Sequence, residues 1–139
     1  MSVARGIRNN NPGNIDYNPT NNWQGQLKVD KTIEPRFCRF DTPENGIRAL
    51  GKLLQTYQSK YGLTTVEGII NRWAPSVENN TKAYVRAVEK TIGSIPGATI
   101  TLKDPRTLGL FIKAIIRHEN SNYEYSDAIM SEGVRRALA

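Results

Sequence analysis

The chain has one cysteine and one histidine in 139 residues, and this scarcity removes whole classes of chemistry. A lone Cys38 makes no internal disulfide, so nothing here depends on an oxidising compartment. One cysteine with one histidine leaves no ligand set for a structural zinc, and neither metal nor other cofactor is expected. A Ser/His/Asp triad would have to use His118, which lies directly beside Glu119 and therefore on another helix face. A surface role near a helix C-terminus suits His118 better. Cys38 has no activating base beside it in sequence and reads as a small buried hydrophobe. Long apolar runs are missing too. No segment approaches membrane-spanning length, and MSVARGIRNNNPGNI has no apolar stretch of the signal-peptide kind. The expectation is a protein made in the cytoplasm, with no membrane partner, carried to any outside site by a virion, lysis or a secretion machine. No phosphate-cradling glycine loop, internal repeat or heptad run is present.

What is there is an ordinary globular composition, 38% hydrophobic and 23% charged, neither disordered nor fibrous. A chain of this length is most simply a single domain over residues 1–139, burying roughly two thirds of its unfolded surface. The net charge is +6 and the pI about 9.6, which favours a polyanionic partner, nucleic acid or an anionic cell wall. The basic residues are spread along the chain, so charge alone does not choose between them.

Residues 6–25, rich in Asn, Gly and Pro, predict a loop anchored by Ile7, Ile15, Tyr17 and Trp23. Alternation over 26–30 and 36–40 predicts two short strands forming a hairpin across the Lys31 to Pro35 turn. Helical signals follow. Thr42 with Pro43 is a cap with proline at the first helical position, and apolar residues from Ile47 to Tyr61 recur at helical spacing up to Gly62. Thr64 with Glu67 fits a capping box for a helix through Ile69, Ile70 and Trp73, stopping near Pro75. A third helix buries Tyr84, Val85, Val88 and Ile92 and closes at Gly93. Asp104 and Pro105 restart the cap-then-proline signal, and Leu108, Phe111, Ile112, Ile115 and Ile116 make an apolar helix ending at Glu119. A weaker helix runs from Ser126 through Ile129, Val134 and Leu138. The fold class expected is mainly α, about five helices with a small hairpin-and-loop region near the N-terminus.

With one histidine and thirteen carboxylates, the chemistry open to this chain is acid-driven catalysis or binding. An apolar helix that delivers a carboxylate at its C-terminal end suits a general acid, because packing can dehydrate the acid and keep it protonated; a solvated residue at a frayed helix end is the plainer reading of Glu119. Two segments are unusual for connectors: the asparagine-rich turn from Arg8 to Ile15, and Trp73 to Tyr84. Amide side chains beside aromatic faces are what carbohydrate binding needs. The same residues also serve as helix caps and core.

RGIRNNNPGNI, then Trp23 to Gly25, FCRFDTPENGIRAL, TVEGIINRWAPSVENNTKAYV and AIIRHEN together resemble a family of phage and prophage proteins. These are labelled structural proteins and regarded as virion-associated peptidoglycan hydrolases of the lysozyme-like superfamily. A second resemblance is to cell-wall glucosaminidases and lytic transglycosylases, in which a helix ends in a catalytic Glu followed by a polar residue. In the glucosaminidases an Asn-rich turn, an aromatic strand, an amphipathic helix and a turn leading to a Tyr then follow. Here the Glu-bearing helix comes last instead of first, as a circular permutation would place it.

The resemblance implies that the fold is α+β lysozyme-like and that Glu119 is the general acid of a muramidase, lytic transglycosylase or other bacteriolytic endolysin. Arg8 to Ile15 should then lie beside Glu119. A hydrolytic enzyme adds a second carboxylate. Glu78 is the first candidate for it, ahead of Glu44, whose place in a helix first turn favours capping, and Asp16. Substrate contacts are expected from Asn11, Asn14, Trp23, Trp73, Asn79, Asn80, Thr81 and Tyr84, with peptidoglycan glycan strands as partner and association with a virion or secretion machine. The alternatives are a non-catalytic virion or wall-binding module, and a small basic DNA-binding domain. For the last, the helix after Asn80 offers only Lys82, Arg86 and Lys90, too little for base readout.

Overall fold

The computed structural model describes residues 3–75 and 80–139, and among these the chain is mainly α-helical. The helices are α1 (Arg5–Arg8), α2 (Pro43–Tyr61), α3 (Val66–Trp73), α4 (Thr81–Ile92), α5 (Pro105–Glu119) and α6 (Asp127–Leu138). Their ends follow local chemistry. Thr42, Asn80, Asp104 and Ser126 each accept a hydrogen bond from a backbone N–H in the first turn, satisfying donors the helix itself cannot. Gly62 and Gly93 close α2 and α4 in the left-handed region, at φ 66 and 80.

Three sequence expectations need correction. The cap of α3 is Thr65, which accepts from Gly68 N, and not Thr64. Thr64 O accepts instead from Ile100 N (2.8 Å), and Thr65 bridges Thr99, so the chain is still extended at Thr64. The hairpin expected across Lys31 to Pro35 forms only as a short antiparallel contact, with Gln26 bridging Phe40, and not as a named sheet among the described residues. The 36–41 segment also pairs along its other edge, so it is threaded between two others. Cys38 N donates to Ile15 O and Tyr17 N to Arg36 O on one side, while Leu27 N donates to Arg39 O and Asp41 N to Gly25 O on the other. Alternation predicted extended backbone and one of its partners there, but not the second partner at 15–17. The loop from residue 6 also begins inside a one-turn helix, α1, whose N-cap makes no side-chain bond; only tertiary contacts hold so short a turn.

The apolar faces meet in one hydrophobic cluster running from Ile15 to Ala137. Ile47, Leu50 and Leu54 of α2 are fully buried, as are Leu108, Phe111, Ile112 and Ile115 of α5. Helix α6 lies close along α2 because the contact is made through small residues. A Cβ at Gly133 would stand 2.5 Å from Ile47 Cγ2, and one at Gly51 2.6 Å from the Ala137 Cβ. The N-terminal loop presses on the start of α2 in the same way, leaving no room for a side chain at Gly46 beneath the Asn10 carbonyl. No described helix is long and apolar enough to cross a membrane.

Glu34, only 3% exposed, ties this N-terminal region together. Its carboxylate accepts from Arg5 Nε (2.8 Å) and a second Arg5 nitrogen, from Asn9 Nδ2 (3.0 Å), and from the backbone N–H groups of Arg36 (2.8 Å) and Phe37 (2.9 Å). The Arg5 bonds hold the Glu34 carboxyl well below the usual carboxylate range against the opposing cost of burial, with the Phe37 and Arg36 N–H groups and Asn9 assisting. Because the folded value lies below the unfolded one, the stabilisation is fully present above about pH 4.3 and is lost as pH falls from there towards the folded value. Glu34→Gln is expected to cost about 2–3 kcal/mol at neutral pH and to flatten the loss of stability between about pH 4.5 and 2.5. Denaturant melts across that range check this, and an acid slope identical to wild type would refute it.

Candidate functional site

Glu119 is the last residue of α5 and is half-buried. Its Oε2 accepts from the Tyr84 hydroxyl (3.0 Å) and its Oε1 from Asn14 Nδ2 (3.3 Å). Tyr84 comes from α4 and is completely buried. Its oxygen also accepts from Trp73 Nε1 (3.1 Å), so the single hydroxyl hydrogen is left for Glu119. Burial pushes the Tyr84 phenol far above its ordinary value, and the nearby Glu119 charge adds to this, so the hydroxyl stays a donor at any working pH. The exposed His118 ring stacks on the Tyr84 ring, centroids 3.7 Å apart and 26° from parallel, which fixes His118 beside the site without a bond to Glu119.

Asn14 reaches Glu119 because the N-terminal turn is wound tightly. Asn10 and Asn14 both lie in the left-handed region, φ 51 and 50, which asparagine tolerates better than other side chains. Asn11 staples the turn from inside: its Nδ2 donates to Ile15 O and Cys38 O, and its Oδ1 accepts from Ile15 N. The next residue after Glu119 closes the other side. Asn120, 2% exposed, donates from Nδ2 to Pro12 O (2.7 Å) and Ile116 O (2.9 Å). A Cβ at Gly6 would stand 2.5 Å from Asn120 Oδ1, so only glycine lets α1 sit against this contact.

Glu119 opens into a groove of about 590 Å3. One wall is polar, with Asn14, Asp16, Asn18, Asn21 and Arg36; the other is apolar and aromatic, with Leu53 and Tyr57 of α2 and Trp73 of α3. A larger groove of about 740 Å3 lies between α5 and α6, lined by Leu110, Ile116, Met130 and Val134, and does not include Glu119. Among the described residues no three His, Cys, Asp or Glu side chains gather as a metal site.

Of the residues expected at the site, Glu119, Asn14 and Trp73 come together in the groove. Asn11 and Tyr84 are corrections. Both are fully buried and their polar atoms are spent inside the protein, so they position other groups. Thr81 is also buried and donates to Ala74 O (2.7 Å), and Asn80 caps α4. Trp23 packs half-buried against the core and is not among the groove residues. Of the second carboxylates, Asp16 lines the groove but is bound by Arg36 Nε at 2.7 Å. Glu44 sits in the first turn of α2 and its charge bears on Tyr125, away from the groove lining. Glu78 and Asn79 lie outside the described residues. Cys38 is buried, its thiol pushed up to about 11 by burial and then by the Asp16 charge, as an inert apolar residue should be. The sequence reading missed Tyr57, Asn18 and Asn21. Tyr57 carried the helical spacing of a core residue, and the two asparagines sit in a loop whose fold only its contacts define.

The Trp73–Tyr84–Glu119 chain predicts that Tyr84→Phe lowers stability by about 1–2 kcal/mol, since it strands the half-buried Trp73 N–H and removes one of the two donors to Glu119. Trp73→Phe alone should cost less through this network than Tyr84→Phe. Chemical denaturation of both variants checks the order, and a neutral Tyr84→Phe would contradict the network.

No family model matches the sequence. Over 126 residues, 89% of this chain, it is 43% identical to Protein P5 of Pseudoalteromonas phage PM2 and spans 76% of that protein. The expected phage origin is thereby borne out, and the relative's name specifies no activity. The chain belongs to the family of Protein P5, a bacteriophage protein.

Proposed function

We propose that this protein cleaves the glycan strands of peptidoglycan, with Glu119 as general acid and then general base in a lysozyme-like site. The observation that carries the reading is the placement of Glu119: a carboxylate at the end of a buried helix, facing a groove, gripped by Asn14 and Tyr84. The asparagine turn from Arg8 to Ile15 lies against it, as expected if the catalytic helix has been permuted to the C-terminal part. The groove offers what amino-sugar strands require, amides on one wall and flat aromatic surface on the other.

In this mechanism the Tyr84 bond keeps Oε2 as the carbonyl-like oxygen, and the transferable proton resides on Oε1, whose contact with Asn14 is the longer one. Protonation of the glycosidic oxygen from Oε1 breaks the bond to the departing sugar, and the resulting carboxylate then takes a proton from the attacking hydroxyl. Asp16 is occupied by Arg36; the substrate's own acetamido oxygen can instead stabilise the cation left by the departing sugar, and its own hydroxyl can then attack and pass its proton to Glu119, which is lytic transglycosylation. The phage relationship suits delivery to the wall by a virion or at lysis.

The test is muropeptide release from outer-membrane-permeabilised cells. Wild type should release glycan fragments, with anhydro-muramyl ends marking transglycosylation and reducing ends marking hydrolysis. Glu119→Gln, which keeps the volume and one of the two acceptor oxygens, should lower the rate by about 100-fold or more. Binding to walls without release by wild type would instead favour a non-catalytic module, and equal release by the variant would overturn Glu119 as the catalytic acid.

A further inference from the structure

At the α2–α3 end of the groove a cation is held in place by aromatic rings and not by an acid. The Arg72 guanidinium lies 3.6 Å from the Tyr61 ring centroid and 5.2 Å from that of Tyr57, and Lys60 Nζ stands 5.5 Å from the Tyr61 ring. Tyr57 itself lines the groove, as does Trp73, the residue after Arg72. Arg72 and Lys60 are exposed, and among the described residues no carboxylate pairs with either. Every Arg or Lys ion pair among the described residues lies elsewhere: Arg5 on Glu34, Arg36 on Asp16, Lys113 and Arg117 on Glu124, Arg135 and Arg136 on Glu132. Stacking on a ring restrains the guanidinium plane while leaving its N–H edge open, so a planar anion can dock on it with little further ordering.

We propose that Arg72, presented by Tyr57 and Tyr61 with Lys60 beside it, is a carboxylate-binding subsite at the end of the groove, selecting anionic glycan strands over neutral ones. The inference rests on the glycan reading of the groove and adds the charge of the substrate to it. In peptidoglycan the carboxylate comes either from the stem peptide or, on strands that have lost their peptides, from the lactyl ether of the muramyl sugar. Both present the same planar group to a guanidinium.

Binding tests this without relying on turnover. In a Glu119→Gln background, co-sedimentation is measured with native sacculi, with sacculi whose carboxylates are converted to methylamides, and with amidase-stripped sacculi retaining only lactyl carboxylates. Arg72→Gln should weaken binding to native sacculi about tenfold, Arg72→Lys should recover part of that loss, and neither should matter on methylamide sacculi. Lys103→Gln, an exposed cation on the α4–α5 connector, controls for net charge and should change binding less than twofold. Persistence of the Arg72 effect on stripped sacculi shows that the lactyl carboxylate also serves as ligand, and its disappearance there confines the subsite to the stem peptide. Equal losses for Arg72→Gln and Lys103→Gln, equal losses on native and methylamide sacculi, or no loss at all would overturn the subsite. A protein that shows this Arg72 dependence but releases no muropeptides with Glu119 intact would refute the cleavage reading alone.

Discussion

Two hydrogens on one amide hold the site together. Asn120 sits buried at the end of α5 and gives one hydrogen to its own helix and the other to Pro12, 108 residues away. Buried amides are costly to leave unpaired, so this contact drives the N-terminal turn against the end of α5. Asn14 reaches the carboxylate only because Pro12 is held. The glycine at position 6 is required because the same amide occupies the space a side chain would take.

Behind this contact the framework is rigid in the way a functional carboxylate demands. Glu119 is carried by a helix whose inner face is fully buried, and not by a loop. Its second grip comes from Tyr84 on a different helix, itself bound by Trp73 on a third. Side chains from separate secondary elements, each locked by packing, fix a group more closely than a loop can. The polar wall opposite is supported from the other side by Glu34, whose five bonds gather α1, the asparagine turn and the extended 36–41 segment. Two buried polar centres, Asn120 and Glu34, thus organise the N-terminal region that apolar packing alone would leave loose.

The helices were legible because their signals are local. Thr42 with Pro43, Asp104 with Pro105, Gly62 and Gly93 act within one turn of themselves, and the apolar periods of α2 and α5 need no knowledge of partners. The one-residue error at Thr64 arose where a long-range bond to Ile100 competed with the cap. The expected hairpin shrank to one bridge for a related reason. Alternation over 36–40 is correct for extended chain but silent on a second pairing edge, and here residues 15–17 take that edge while 25–27 take the hairpin side.

Sequence by itself determined the mainly helical architecture, the impossibility of an internal disulfide with one cysteine, and the delivery of a carboxylate at the end of an apolar helix. Tertiary structure alone decided which polar side chains face the groove. Asn11 and Asn14 belong to the same turn and have the same chemistry, yet one is consumed inside and the other meets Glu119. Tyr57 and Tyr84 both have the spacing of core residues, yet one lines the groove and the other is sealed beneath it. An amide or a phenol bonds a buried carbonyl as readily as a ligand, so composition and spacing carry no trace of the difference. It is set by tertiary contacts, among them those that join the asparagine turn to the end of α5 across more than a hundred positions.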